Sequence, residues 1–398
     1  MTRLSARVRN VAPSPTFAIK AKAQALARAG RSIIDLSAGE PDFLPPPLVG
    51  VAAVAAVQAG ANRYAPVAGM MDLREAVADR YRGLGLDVQS DQVLVTHGGK
   101  QALYNLAQTL LDPGDEAVVL TPAWVSYIPQ IELAGGRAVC VPCDPEAGFL
   151  PDPDRVAAAL TERTRFVLLN SPANPTGAVI DEERLRAIDA AAAAVGAVVI
   201  SDELYRAITF DEPAVCHPLL ADPSLERTVI VDAVSKTWAM TGWRVGFMLG
   251  PRDLVKAATK IQSHSTSGVC RINEAGALAA LTGPQDFLGP VIDALRVRRD
   301  TLVAGLAAIP GISLDVVPSG AFYLFPRVND LFGRRGPDGK VLENAGDVAA
   351  ALLELGGVAM VPGEGFGESR CVRMSYATKQ EDIESAVTRL ASAVSQLG

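Results

Sequence analysis

The sequence predicts an α/β protein with a mostly parallel central sheet, and two patterns support this prediction. Short apolar runs rich in β-branched residues recur over the first 250 residues, without the strict polar alternation of half-exposed strands. Longer Ala- and Leu-rich segments of helical period separate them. The runs are QVLVT (92–96), EAVVLTP (116–122), RFVLLN (165–170), AVVISDE (197–203), TVIVDAV (228–234) and RVGFMLG (244–250).

The segments between these runs have the period of helices that cover both faces of a sheet. The pattern predicts helices over residues 99–110, 181–195 and 252–262, with Gly or Pro at many of their boundaries. This order of elements predicts one large α/β domain over residues 46–290.

The sequence pattern changes near residue 284, where a long helical segment precedes four short apolar runs and a final helix over residues 379–397. It predicts a smaller α+β domain over residues 291–398, and residues 1–45 are expected to form an N-terminal arm and part of this domain. A chain of 398 residues also exceeds the size at which one core usually stops growing. The four runs are ISLDVV (312–317), AFYLFP (321–326), VAMVP (358–362) and CVRMSY (371–376), with a predicted exposed insertion at 332–344.

Composition excludes several classes of partner. A net charge of −7 offers no basic surface for nucleic acid or anionic lipid, so neither is predicted. The N-terminus lacks the pattern of a secretory signal, and the longest apolar stretch, residues 190–200, is shorter than the roughly 18–20 residues that span a bilayer. We therefore expect a cytoplasmic protein. The five cysteines argue against a disulfide framework, and Cys140 and Cys143 lack a second ligand pair, so no metal site is predicted.

One lysine stands in a setting that is unusual for a solvated side chain. Lys236 follows Ser235 at the end of a predicted strand, with Trp238, Gly242 and Arg244 close behind. Apolar surroundings lower the pKa of a lysine because they disfavour its charged form, as an imine-forming amine requires. Ser-Lys pairs are also common on protein surfaces, so the prediction of a reactive lysine depends on these neighbouring residues.

Other polar residues lie at the carboxyl ends of predicted strands, where α/β sheets bind ligands. Asn174 lies in the rigid turn NSPANPTG (170–177), and Asp202 closes the run AVVISDE with Tyr205 three positions later. A helix N-cap role for Asp202 stays open at this point. The segment HGGK (97–100) opens a helix, where free N–H groups and the helix dipole favour an anion.

Six motifs extend over nearly the whole chain: SAGEPD (37–42), NSPANPTG (170–177), SDELY (201–205), SKTWAMTGWRVG (235–246), PSGAFY (318–323) and VRMSYA (372–377). Together they resemble the class I aminotransferases of fold type I, in that family's order and at its spacing. The resemblance implies a fold type I transferase that uses pyridoxal 5'-phosphate and acts on small amino acids and 2-oxo acids by a ping-pong mechanism.

The resemblance assigns residues around the cofactor ring. It implies that Lys236 holds the cofactor as a Schiff base and later carries the proton between the substrate α-carbon and the cofactor. Asp202 would bind the pyridine nitrogen and keep it protonated, which makes the ring an electron sink. Tyr205 and Asn174 would hydrogen-bond the phenolic oxygen. Trp124 would stack on the ring, with simple core packing as its open alternative.

The resemblance also assigns the phosphate contacts. The backbone amides of Gly99 and Lys100, the hydroxyl of Ser235 and the guanidinium of Arg244 would bind this group. Tyr64 would reach it from the neighbouring subunit, so the resemblance implies a homodimer with shared active sites.

The substrate contacts follow from the same resemblance. Arg373 would bind the α-carboxylate, a task suited to its planar pair of donors, and the Gly39 amide would assist it. Trp124 and Asn174 would also contact the substrate.

Several segments resemble the bacterial aspartate aminotransferases, including those that also accept prephenate. The resemblance to that branch implies that Lys100 helps to bind the distal carboxylate of a dicarboxylic substrate. It also implies that Thr16 and Ser14 lie in an N-terminal segment that closes over the substrate. A solvated Lys100 is the alternative. An aromatic or prephenate aminotransferase, a lyase or synthase of the same fold, and a binding module without turnover also stay open.

One segment departs from the family pattern. Residues 263–275, SHSTSGVCRINEA, keep Ser265 and Thr266 but then place Arg271 in an unusual continuation. In relatives this loop lines the partner's active site. We expect Arg271 either to supplement Lys100 in binding an acidic side chain or to reshape the pocket for another amino acid.

Overall fold

The computed structural model describes residues 2–11, 15–211 and 222–398, and its centre is a seven-stranded sheet. Six of the seven strands are the predicted runs. The strands are β2 Val93–Thr96, β3 Glu116–Thr121, β4 Arg137–Pro142, β5 Thr164–Asn170, β6 Val198–Asp202, β7 Thr228–Ala233 and β8 Gly246–Leu249, following a short β1 at Ile34–Asp35.

The strand order in this sheet is β2-β8-β7-β6-β5-β3-β4, and all pairs are parallel except the two made by β8. The fold class predicted from the sequence is therefore confirmed. The edge strand β4 is not among the predicted runs. Its residues RAVCVP are half exposed on average, so they lack the continuous apolar character of the covered strands.

Helices cover the sheet and precede many of its strands. The predicted helices at 99–110, 181–195 and 252–262 all form, within a residue or two at each end. The helices are α1 Ala6–Asn10, α2 Pro15–Arg28, α3 Pro47–Gln58, α4 Met71–Arg82, α5 Gly99–Leu110, α6 Tyr127–Leu133, α7 Pro153–Ala159, α8 Glu182–Ala194, α9 Val234–Thr237, α10 Arg252–Ser263, α11 Arg271–Thr282, α12 Leu288–Ala307, α13 Ala345–Gly356 and α14 Gln380–Ser395, with 3₁₀ turns at Ser90–Gln92, Pro145–Ala147, Thr241–Trp243, Asn329–Leu331 and Gly363–Phe366.

Local signals explain several helix ends. The Asp181 side chain caps α8 by accepting a hydrogen bond from the Arg184 amide, and Glu182 and Glu183 in the first turn complement the helix dipole. Asn344 caps α13 in the same way, and this helix ends at Gly357 in the left-handed conformation that glycine adopts without strain.

Two small sheets accompany the C-terminal helices. Strand β1 pairs in parallel with β10 (Val358–Ala359), and an antiparallel sheet has the order β11-β12-β9. Its strands are β9 Tyr323–Leu324, β11 Val361–Pro362 and β12 Val372–Ser375. The run at 312–317 forms only one isolated bridge, from Ser313 to Arg327, because most of its residues stay partly exposed rather than covered by a neighbouring strand.

The apolar residues are gathered in distinct cores. Three clusters lie against the central sheet, whereas a further cluster is built mainly from α12, α13, α14 and the small strands. Ile34 and Leu36 pack into that last cluster, as do Tyr205 and Phe210. Among the described residues no helix combines the length and apolar character that a bilayer crossing demands.

Candidate active site

A cavity of about 510 Å³ lies at the carboxyl ends of the central strands. Asn170 ends β5, and Asp202 ends the neighbouring β6, in register with it. Because parallel strands end at one edge of the sheet, residues distant in the sequence meet there. The cavity brings together eleven of the predicted site residues: Gly39, Gly99, Lys100, Trp124, Asn174, Asp202, Tyr205, Ser235, Lys236, Arg244 and Arg373.

Lys236 lies on α9, the single turn of helix that follows β7. Its Nζ donates a hydrogen bond to the Gly39 carbonyl at 2.6 Å. Burial lowers the pKa of Lys236 to about 8, and the nearby Arg373 charge acts in the same direction, against weaker opposing effects of Glu40 and Asp202. The neutral, nucleophilic fraction of this amine near neutral pH is therefore larger than for an ordinary lysine.

Asp202 is a buried carboxylate at the end of β6. Its Oδ2 accepts a hydrogen bond from the Tyr127 hydroxyl at 2.6 Å, and its Oδ1 accepts one from the Leu204 amide at 3.3 Å. Burial raises the pKa of Asp202 to about 6, although both hydrogen bonds and the Lys236 charge lower it. The local contact to Leu204 spans two residues, so Asp202 ends its strand in a turn rather than capping a helix.

Arg373 extends from β12 into the cavity and is 3% exposed. One of its terminal nitrogens donates to Asn174 Oδ1 at 3.0 Å and the other donates to the Ser37 carbonyl at 2.8 Å. Its buried Nε has no hydrogen-bond partner among the described residues. The contacts that fix this guanidinium are neutral oxygens, which leaves its charge available for an anion.

Two tyrosine hydroxyls meet beside Arg373. Those of Tyr205 and Tyr323 lie 2.8 Å apart, and the guanidinium of Arg373 lies 4.5 Å from the centre of the Tyr323 ring. Burial raises the pKa of Tyr205 well above its usual value, so this side chain stays a neutral hydrogen-bonding group.

The opposite part of the cavity is rich in anion donors. Helix α5 begins at Gly99, directly after Gly98 with a φ of 80°, so the free amides of its first turn adjoin the cavity. The positive φ of Gly98 favours glycine, and a Cβ there would lie 2.7 Å from a terminal nitrogen of Arg244, so a side chain would displace this guanidinium. Ser235 and Lys100 complete the group.

Lys100 lines both this cavity and an adjoining depression. Its Nζ is 4.9 Å from the centre of the Trp124 ring, within cation–π range. Burial, followed by repulsion from Arg244, lowers the pKa of Lys100. Both effects favour an anionic partner for this side chain over full solvation.

Residues 31–390 match the model of the family described as aminotransferase class I and II. The chain belongs to this family. The aspartate aminotransferase of Geobacillus stearothermophilus is 41% identical over 392 residues, which cover 98% of each chain. The aspartate/prephenate aminotransferase of Cereibacter sphaeroides is 40% identical and also covers 98% of both chains.

Solved structures agree with this assignment. The aspartate aminotransferase of Rhizobium meliloti superposes with a TM-score of 0.95 at 38% identity and covers all of both chains. That of Thermus thermophilus with maleate gives 0.92 at 42% identity, over 99% of this chain and 100% of the other. The aminotransferase activity, the family and the fold type predicted from the sequence are thereby confirmed.

Among the described side chains, one predicted site residue, Tyr64, does not line the cavity of this aminotransferase. Tyr64 is 97% exposed, as a residue that acts in a neighbouring subunit would be in a single chain. Thr16 belongs to α2, but its side chain lies outside the described residues, and so does Ser14. The contributions of Tyr64 and Thr16 stay predictions.

The unusual loop of the aminotransferase lies next to the cavity rather than in it. Ser265 and Thr266 line an adjoining depression together with Lys100, and the Gln101 side chain hydrogen-bonds the Thr266 hydroxyl. Arg271 begins α11, and its charge acts on the buried Glu274 of the same helix. A role for Arg271 in a partner's site stays a prediction.

Cys140 is exposed and Cys143 is buried, and both are free thiols. Within the described ranges no group of three or more His, Cys, Asp or Glu side chains is arranged to hold a metal ion.

Two residues of the site are absent from the sequence-based assignments. Tyr127 donates to Asp202, and Tyr323 pairs with Tyr205. Tyr323 ends the motif PSGAFY, so its position in the motif is a usable signal. Tyr127 lies three residues after Trp124, and its signal is weaker because a tyrosine at the start of a helix is usually a packing residue.

Proposed function

We propose that the protein transfers an amino group between aspartate or glutamate and a 2-oxo acid, with pyridoxal 5'-phosphate bound at Lys236. One observation carries the proposal: a single cavity holds a lysine of lowered pKa, a buried carboxylate and two separate sets of anion donors. The cofactor presents an aldehyde, a pyridine nitrogen and a phosphate, and an amino acid adds a carboxylate. Each of these groups has a partner of suitable chemistry in the cavity.

The donor set fits the cofactor. The first-turn amides at Gly99 and Lys100, with Ser235 and Arg244, suit a phosphate. The absence of a side chain on Gly98 lets the Arg244 guanidinium lie close to the start of this helix. Asp202 would face the pyridine nitrogen. When bound, the cofactor supplies an electron sink for the electron pair left at the substrate α-carbon.

The residues of the chain would then bind and orient the substrate and move its proton. Arg373, held by Asn174 and the Ser37 carbonyl, would bind the α-carboxylate, with the Gly39 amide beside it. Lys236 Nζ would take the proton from the α-carbon, since its pKa of about 8 lies close to neutral pH. Tyr205 and Asn174 would hydrogen-bond the cofactor oxygen, and Trp124 would cover its ring.

The preference for a dicarboxylic substrate rests on Lys100 and on the relatives. Lys100 is partly desolvated at the cavity and is close to Arg244, so a carboxylate of the substrate would relieve the repulsion. Relatives of about 40% identity are named aspartate or aspartate/prephenate aminotransferases. Prephenate is therefore the second candidate acceptor, since it also carries two carboxylates.

A homodimer with shared sites is part of the proposal. Tyr64 is 97% exposed, and Val51, Val54 and Val57 of α3 form an exposed apolar row of 69%, 58% and 58%. Such a row is typical of a protein interface. The family resemblance implies that Tyr64 of the second copy would contact the phosphate of the cofactor. We also propose the two-domain division at residues 46–290 and 291–398, with residues 1–45 shared as an arm, and a cytoplasmic location.

The test is a half-reaction assay. The purified enzyme with bound cofactor is mixed separately with aspartate, glutamate, phenylalanine and alanine, and the visible absorbance of the cofactor is followed. Aspartate and glutamate are expected to remove the absorbance of the aldehyde form and to yield the matching 2-oxo acid. An excess of a 2-oxo acid acceptor, such as prephenate or 2-oxoglutarate, should then restore that absorbance. Cofactor binding without conversion by any amino acid would contradict transamination and favour a lyase or synthase.

A further inference from the structure

The shortest side-chain contact to Asp202 comes from a residue with no role in the proposed chemistry so far. Tyr127 is the first residue of α6 and is 2% exposed. Its hydroxyl donates to Asp202 Oδ2 at 2.6 Å, and its ring meets Trp124 edge to face at a centroid distance of 5.3 Å. One side chain therefore contacts both the carboxylate and the aromatic wall of the cavity.

Asp202 needs such a donor because its surroundings oppose its charge. Burial raises the pKa of this carboxyl to about 6, and the negative charge of Asp232 on the next strand acts in the same direction. Lys236 opposes both, but the cofactor would engage its amine. The Leu204 amide, at 3.3 Å, is a long hydrogen bond.

Asp232, on the neighbouring strand, has hydrogen-bond donors of its own. Its oxygens accept hydrogen bonds from the Tyr81 hydroxyl at 3.0 Å and the Ala233 amide at 2.7 Å. Burial raises the pKa of Asp232, and the nearby charges of Arg206 and Arg80 oppose this rise. Two carboxylates on adjacent strands thus share one buried region, and each has its own tyrosine donor.

We propose that Tyr127 is a positioning residue whose hydroxyl holds the Asp202 carboxylate ionised and fixed in orientation for the pyridine nitrogen of the cofactor. This inference rests on the proposed function. Tyr127 is suited to the task because burial and the Asp202 charge raise its own pKa well above the usual value, so it remains a donor at every pH at which the enzyme would work. The neighbouring Tyr205 adds to the same effect.

The test compares two variants that each lose one buried hydroxyl. Tyr127→Phe removes the donor to Asp202. Tyr376→Phe removes a fully buried hydroxyl that donates a long, 3.4 Å hydrogen bond to the Ala321 carbonyl, in the cluster built mainly from the C-terminal helices. Cofactor is removed from each purified holoenzyme, and its rebinding is measured from pH 5 to 9 by the change in tryptophan fluorescence. The carboxylic-acid infrared band of the cofactor-free proteins, assigned with Asp202→Asn, reports directly on the protonation of Asp202.

Cofactor affinity should fall as the pH is lowered and Asp202 becomes protonated. The midpoint of this fall is expected to lie about one to two pH units higher in Tyr127→Phe than in the wild type, which corresponds to the loss of one hydrogen bond to a charged group. The midpoint of the pH titration followed by the infrared band should move up by the same amount. In Tyr376→Phe both midpoints should equal those of the wild type. If Tyr127→Phe does not fold, 3-fluorotyrosine at position 127 keeps the packing with a more acidic hydroxyl, and the midpoint should then move down.

Unchanged midpoints in a folded Tyr127→Phe variant, or with 3-fluorotyrosine, would overturn the inference while leaving the proposed function intact. A wild-type protein that binds no cofactor would instead defeat the proposed function, and the inference with it.

Discussion

The Arg373 guanidinium donates to the Asn174 side-chain oxygen at 3.0 Å, and this contact joins strand β12 to the turn that follows β5, 199 residues earlier in the chain. It fixes the plane of a buried guanidinium before any substrate arrives. Preorganisation of this kind means that the α-carboxylate would find its two donors already aimed, with little reorganisation on binding.

Replacing Arg373 by Lys should show how much substrate binding depends on the positive charge and how much on the planar arrangement of the donors. Lysine keeps the positive charge but loses the planar pair of donors and the contacts to Asn174 and Ser37. We expect kcat/KM for the amino acid to fall about a hundredfold, about 3 kcal/mol, while cofactor affinity changes little. Steady-state kinetics and a cofactor titration measure the two effects. Equal losses in kcat/KM and in cofactor affinity would show that Arg373 maintains the structure of the cavity rather than binding the substrate.

Lys100 offers a test of substrate class. In Lys100→Met the backbone amide at the start of α5 is kept, so the proposed phosphate contact is preserved while the charge near Trp124 is lost. The ratio of kcat/KM for aspartate to that for alanine should fall about tenfold to a hundredfold, the worth of one charge-assisted contact. A ratio unchanged from the wild type would mean that Lys100 does not contact the distal carboxylate.

Glu274 should make the stability of the fold depend on pH. It is 1% exposed, its Oε2 accepts from the Met70 amide at 2.9 Å, and its Oε1 has no hydrogen-bond partner among the described residues. Burial raises its pKa to about 7, despite the opposing effects of the Met70 hydrogen bond and the Arg271 charge. The folded state therefore binds more protons than the unfolded state between the ordinary glutamate pKa and about 7, and stability from this group falls as pH rises through that window.

Glu274→Gln removes this titration. At pH 8 the variant should be more stable than the wild type by up to about 3 kcal/mol, and the difference should vanish below about pH 4.5. Denaturant unfolding at several pH values and one protein concentration measures it. Arg271→Ala is the companion variant: it removes the favourable charge, so its loss of stability should be greatest at high pH. A pH-independent difference for Glu274→Gln would show that the carboxyl is not the source.

The sequence was sufficient to place residues at the cavity when they follow a strand, and insufficient for contacts between distant segments that form on folding. Lys236, Asp202 and Asn174 follow buried apolar runs, and such runs end at the ligand-binding edge of an α/β sheet. Nothing in the local sequence of Tyr127 or Glu274 reveals its partner, because Asp202 and Met70 are 75 and 204 residues away. The strand at Arg137–Pro142 was missed for a related reason, since an edge strand with exposed positions resembles a loop.

Tyr64 and Lys236 provide a test of shared sites by subunit mixing. In a hybrid dimer of Tyr64→Ala and Lys236→Ala subunits, sharing would create one site that has both native residues and one that has neither. About half of the wild-type activity should therefore return at cofactor concentrations that do not saturate Tyr64→Ala alone. A hybrid of Lys236→Ala with Arg373→Ala is the matched control, because the cavity takes Lys236 and Arg373 from the same chain. That hybrid should stay inactive, and activity in it, or none in the first hybrid, would contradict an exchange of Tyr64 between subunits.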